Sequence, residues 1–293
     1  MLRFLVLATI LFAFGLIGCG RNEINAKVSG VPATSTAVKS FMPENDLANE
    51  DGFVAGNNMT EERFNEIIDS VVKYYEPIVS DLGGNLVVNR NWDDSTVNAY
   101  ADRNDGNWNV SMFGGLARRS EISDDGFAMV LAHEIGHHVA GFPFVSGWAS
   151  DEGNSDTYST GAAGKLIWSN EDNASVATNP TAKKLCDSYA SDRNLCYREM
   201  NAGLSLAQLL GALGGTKVSF DTPDKSIVKK TAHEHPKAQC RLDTYVAATL
   251  CDVKWNNGLI PQNAAEMAKS SCVSASKTDY DIRERPRCWF APK

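Results

Sequence analysis

Five histidines occur in this chain, and they fall in two short segments. In the first, "LAHEIGHHV" (residues 131–139), His133 and His137 flank Glu134 in the pattern H-E-x-x-H. Side chains four apart on a helix share one face, so two imidazoles can point at one cation. Zinc takes imidazole nitrogen and carboxylate oxygen, and a catalytic site keeps one position for water. Glu134, beside the pair, is placed to act as general base on that water and to pass the proton to a leaving amine. The plain alternative is a buried helix with polar residues at an interface. His138 lies off the shared face and reads as a bystander.

Three positions do not make a site, so a third ligand is needed. A metzincin would carry glycine and histidine at the places where this chain has Ala140 and Pro143. A carboxylate from a following helix is the other solution. "WASDEGNSD" (148–156) offers Glu152 as third ligand, with Asp156 on the same face to accept a hydrogen bond from a ligand histidine. Asp151 competes with Glu152 for that role. The second histidine segment, "AHEHPKAQCRLDTY" (232–245), places His235 before a proline, with Arg241 following. Together they can present a donor to an oxyanion. His233 reads as a surface residue, or with His235 as a second metal pair.

These residues need elements to hold them. Thr60, followed by Glu61 and Glu62, is a helix start. Phe64, Ile67, Ile68, Val71, Val72 and Tyr75 then recur at helical spacing until Gly83 and Gly84. β-like runs follow at 85–92, 96–103 and 107–113, the last two joined by the hairpin signal "NDG" at 104–106. The run 107–113 can line a cleft and pair with an extended peptide, or lie inside a sheet. Ser123 opens the helix that carries the metal motif; a second helix is expected from about 151 to 168, and mostly helix from there to 250. Trp148 and "FPF" (142–144) shape a side-chain pocket or sit in the core. The expected fold class is α+β, a small antiparallel or mixed sheet leading into a helical body.

The ends of the chain speak to compartment. Arg3 and the apolar stretch 5–16 read as a signal peptide over 1–18, too short for a comfortable membrane span. Leu16-Ile17-Gly18-Cys19 resembles the bacterial lipobox, which implies cleavage before Cys19 and acylation there. Gly20 after it resembles an outer-membrane address, facing the periplasm or the surface. Residues 19–58, rich in Ser, Thr, Ala, Asn and Gly, read as a flexible tether; 59–251 as the catalytic domain; 252–293 as a tail held by cysteines. Cys186, Cys196, Cys240, Cys251, Cys272 and Cys288 form an even set in an exported chain, so disulfides are expected. Pairing of sequence neighbours (186 with 196, 240 with 251, 272 with 288) is the simplest choice. A net charge of −8 without a Lys/Arg run argues against nucleic acid as partner.

Taken in order, His133-Glu134-x-x-His137, Glu152-x-x-x-Asp156 and His235-Pro236-x-x-x-x-Arg241 resemble the HtpX and CAAX-prenyl-protease family of zinc endopeptidases, as does "NAYA" (98–101) ahead of the metal helix. The likeness covers roughly residues 60–250. It implies a zincin-like domain holding one zinc ion per chain on His133, His137 and Glu152. Glu134 is then the base, His235 the group that helps hold the transition state, and Asp156 and Arg241 the support. The implied substrate is a protein or peptide outside the cytoplasm, such as one met in envelope quality control. Two departures stand out: no transmembrane helix follows residue 20, and the cysteine-bearing tail lies outside the family core. A lipoprotein adaptor or chaperone that has lost catalysis is the rival, although such a relative would tend to lose Glu134 first. Hydrolysis of a non-protein amide, as in cell-wall peptides, uses the same chemistry.

Overall fold

Capping, apolar spacing and turn chemistry account for most of the elements around the motifs. The computed structural model describes residues 38–47, 57–174, 179–273 and 279–292; the signal peptide, Cys19 and most of the tether lie outside them. Strand β1 (Lys39–Ser40) comes first. It corrects the tether reading at residues 38–47, because Phe41 and Met42 are fully buried in the main core. Two large apolar side chains in a polar stretch are enough to dock it.

Helix α1 (Glu61–Asp81) starts at Thr60, whose hydroxyl accepts from the Arg63 amide at 3.1 Å. It buries Phe64, Ile67, Ile68, Val71, Tyr75 and Val79, whereas Val72 is only partly covered. Strands β2 (Asn85–Asn91), β3 (Ala99–Asn104) and β4 (Asn107–Phe113) follow. Asp105 and Gly106 have φ of 46° and 83°, the left-handed pair that a two-residue hairpin turn requires. The sheet is mixed, in the order β1-β3-β4-β2, with β2 parallel to β4 and the other pairs antiparallel. β4 is therefore interior. Both its edges are taken, so of the two readings of 107–113 the interior strand holds and pairing with a peptide does not.

After the short helix α2 (Gly114–Ala117), helix α3 (Asp124–Val139) is capped by Ser123 and buried all round from Gly126 to its end. A helix covered on every face belongs at the centre of a domain, and α3 packs between α1, the sheet and the later helices. A small hairpin, β5 (Phe144–Ser146) and β6 (Ala149–Ser150), leads into α4 (Glu152–Tyr158). The helix expected over about 151–168 is present as an unbroken helical run, which passes through a π-helical turn at Ser159–Gly164 between α4 and α5 (Lys165–Trp168).

Helices α6 (Pro180–Tyr189) and α7 (Arg193–Ala212) follow, then α8 (Ala238–Leu250) and the short α9 (Ala264–Met267). Residues 213–237, expected to be mostly helical, are irregular; Gly215 has a φ of 60°, and Pro223 and Pro236 deny helix donors. Among the described residues no helix is long and apolar enough to cross a membrane.

The cysteines pair as 186–196, 240–288 and 251–272. Only the first neighbour pairing holds. Cys240 sits in the first turn of α8 and Cys251 just past its end, about 16 Å apart at 1.5 Å per residue, far beyond disulfide reach. Each instead ties one end of α8 to the tail.

Candidate metal centre

The site forms where α3 and α4 cross. Gly136 makes the approach possible: a Cβ there would lie 3.2 Å from the Ser155 backbone. His133, Glu134 and His137 on α3, and Glu152 in the first turn of α4, are all fully buried. His133 Nε2 is 3.3 Å from Glu152 Oε2, and His137 Nε2 is 3.6 Å from Glu152 Oε1. One ligand atom from each of the three lies within 4.8 Å of the others.

The outer ring nitrogens settle the tautomers. His137 Nδ1 donates to the Ser150 carbonyl at 2.8 Å, with Ser155 Oγ at 3.0 Å; a carbonyl can only accept, so the proton is on Nδ1. His133 Nδ1 lies 2.9 Å from Asp156 Oδ1, closer than its 3.5 Å contact with Arg241, and donates to the carboxylate. Both Nε2 atoms therefore face inward, the atoms through which the rings can bind a cation. Those two nitrogens and both carboxylate oxygens of Glu134 and Glu152 have no hydrogen-bond partner. Six orphaned polar atoms at zero exposure would be costly. Two imidazoles with their outer nitrogens engaged, and a carboxylate, form a donor set that suits a divalent cation such as zinc. The residues present fit a metal.

Asp156 is the hub behind the site. Arg241 on α8 grips it with two bonds of 2.7 Å, and the Tyr245 hydroxyl donates to it at 2.8 Å. Burial opposes ionisation of Asp156, but the Arg241 guanidinium outweighs it and holds the carboxyl below its usual range. Glu152 is likewise lowered against burial, by the His137 and His133 rings. Glu134 differs: burial dominates and pushes it up to about 8. That is a carboxylate with appetite for a proton, as a general base requires.

His235, one-fifth exposed, stands 3.7 Å from Glu152 Oε2 and donates from Nε2 to the Ser40 carbonyl at 2.8 Å. His233 is nearly half-exposed and meets Asp151 at 3.2 Å, outside the metal group. Asp151 does not compete with Glu152; it caps α4 by accepting from the Asn154 amide at 2.9 Å. His138 lies away from the centre, stacked between Trp108 and Trp148, with Nε2 on the Asn109 carbonyl. Trp148 is thus core. The second cluster of metal-binding type, Asp224 with Cys240 and Cys288, has its sulfurs tied in a disulfide.

Sequence reasoning missed Tyr245, Ser150, Ser155 and Lys39. Tyr245 was findable, four residues after Arg241 on one helix face. Lys39, whose Nζ is 3.4 Å from Glu152 Oε1, left no signal in its segment.

Comparison with curated proteins and with solved structures finds no match. A model of peptidase family M48 matches residues 62–242, more than half the chain, from α1 into α8 and across all three motifs. With the α+β fold and the buried His133, His137 and Glu152 group, that match places the chain in a zincin-like family of metallopeptidases: it belongs to peptidase family M48.

Proposed function

We propose that the chain is a zinc-dependent endopeptidase that cleaves proteins outside the cytoplasm. The observation that carries this reading is the set of orphaned atoms: two inward Nε2 atoms and a carboxylate around one point, with the unpartnered Glu134 carboxylate beside them. His133, His137 and Glu152 would hold the ion. Once bound, zinc lowers the pKa of water and polarises a carbonyl.

The chain's own groups do the rest. Glu134 takes a proton from the attacking water and returns it to the leaving nitrogen. His235 carries its proton on Nε2, since it donates to a carbonyl, and presents that N–H to the developing oxyanion. Asp156, held by Arg241 and Tyr245, fixes the His133 ring; Ser150 and Ser155 fix His137.

Export is supported by the signal-like leader and by three disulfides. Acylation at Cys19 would anchor the enzyme in the cell envelope, at the outer membrane, where quality control of unfolded proteins fits a loosely selective peptidase. Palmitate labelling that is lost in Cys19→Ser tests the anchor.

Zinc content and casein hydrolysis test the chemistry. Glu134→Gln should keep zinc and lose activity by about a hundredfold or more, and Glu152→Ala should lose the metal. Full zinc occupancy in Glu152→Ala would overturn the ligand assignment. Unchanged turnover in Glu134→Gln would overturn the mechanism and favour a different base.

A further inference from the structure

The metal set is fully buried, and the chain's own residues 39–42 lie against it. Every one of the four engages the site or its neighbouring strand. Lys39 Nζ is 3.4 Å from Glu152 Oε1. The Ser40 carbonyl accepts from His235 Nε2 at 2.8 Å. The Phe41 ring stands edge-on to His133 with centroids 5.3 Å apart, and its carbonyl accepts from Arg241 at 2.5 Å. Asn98 reads Met42 on both sides: its oxygen accepts from the Met42 amide and its nitrogen donates to the Met42 carbonyl, each at 3.0 Å.

The backbone geometry is that of an added strand. β1 runs antiparallel to β3, with Lys39 opposite Ala101 and Ser40 opposite Tyr100, and the Phe41 amide donates to the Ala99 carbonyl at 3.0 Å. In an antiparallel pair, alternate residues turn their main-chain groups toward the partner. Phe41 faces β3, so Ser40 directs its carbonyl away from the sheet, and it meets His235. A peptide held through its main chain, with one carbonyl on the histidine assigned to the oxyanion, is placed as a substrate would be.

We propose that residues 39–42 are an internal peptide ligand of the cleft: the chain's own backbone occupies the groove between β3 and His235, and an external extended peptide enters when Lys39 and Ser40 lift away. The proposal rests on the peptidase reading above. Its asymmetry follows from burial. Phe41 and Met42 are fully covered and anchor the segment, whereas Lys39 and Ser40 are only partly buried, the Lys39 side chain reaching Glu152 through an ion pair across the site. The same ammonium competes with a cation for Glu152, so lifting the strand also frees a ligand oxygen. Asn98 recognises main chain alone, so the groove selects extended conformation rather than sequence.

The test uses full-length, zinc-loaded Glu134→Gln protein and a fluorescein-labelled casein peptide. Adding Lys39→Gln, which removes the ion pair, or Lys39→Pro, which also denies β1 its ladder donor, should tighten peptide binding by about fivefold or more, because the closed fraction no longer lowers apparent affinity. Zinc affinity should rise in parallel. Without either substitution, peptide should speed hydrogen exchange at the Lys39 amide, which pairs with β3 opposite Ala101, and this needs no variant to fold. Equal peptide affinity in all three proteins, with Lys39 exchange unmoved by peptide, would overturn the proposal and leave the peptidase reading intact. Absence of both peptide binding here and casein cleavage by the wild type would overturn the two together.

Discussion

Asp156 shows how much one carboxylate can carry. Its two oxygens take donors from His133, Arg241 and Tyr245, all of them fully buried. Asn at this position keeps the shape but turns an amide donor toward Arg241 or His133, and leaves the guanidinium buried without its counter-charge. Asp156→Asn should therefore weaken zinc binding by about 10- to 100-fold and lower stability by roughly 3 kcal/mol. A zinc-competition titration and a urea melt measure the two effects separately. A variant with native zinc affinity would show that His133 does not need this partner. His138 teaches the converse: a histidine next to the motif is built into a stack of indoles, where burial holds its pKa well below the ordinary value.

At the scale of elements, α4 is positioned from two sides. Gly136 admits it to α3, and the tail braces its other face. A Cβ on Gly153 would lie 2.3 Å from the Trp289 ring, which is itself fully buried, and Arg285 donates to Asn154 one residue on. Neither ring nor helix has room to yield. Gly153→Ala should cost about 1–3 kcal/mol by overpacking, read as a fall in Tm, and should weaken zinc because Glu152 is the adjacent residue. An unchanged Tm would mean that the tail gives way freely and does not brace the helix. The matched family segment ends at residue 242, so this brace lies beyond the shared core.

Over the whole molecule, the disulfides make the tail part of the structure that supports the site. Cys240–Cys288 closes 48 residues and fixes the residue before Trp289. Replacing both cysteines by serine should lower unfolding free energy by about 2–4 kcal/mol, with weaker zinc binding as the accompanying sign in a metal titration. Glu199 gives the molecule a pH dependence remote from the metal. Burial pushes this carboxyl from 4.5 up to about 8, against the pull of Lys165. Between those values the folded state keeps a proton that the unfolded chain has released. Its contribution is therefore complete below about pH 4.5 and is lost as pH rises through about 8. Glu199→Gln should flatten the decline of Tm across that window. An equally steep decline in the variant would assign it to other groups.

Much of the site is local chemistry, and local chemistry is legible in one dimension. The spacing of His133 and His137 follows from the helical repeat, as does that of Glu152 and Asp156. The Thr60 and Ser123 caps, the apolar stripe of α1 and the Asp105-Gly106 turn are likewise set within a few residues. What depended on approach between distant segments was decided only by the tertiary structure. Disulfide partners were set by which part of the tail lies at each end of α8, and β4 became interior because it docked beside the earlier strand β2 as well as β3. Residues 39–42 came to rest on the metal site because Phe41 and Met42 found burial against the core. Helical period and turn geometry are properties of neighbouring residues. Docking depends on complementary surfaces far apart in the chain, and nothing in the composition of residues 38–47 displays the surface they meet.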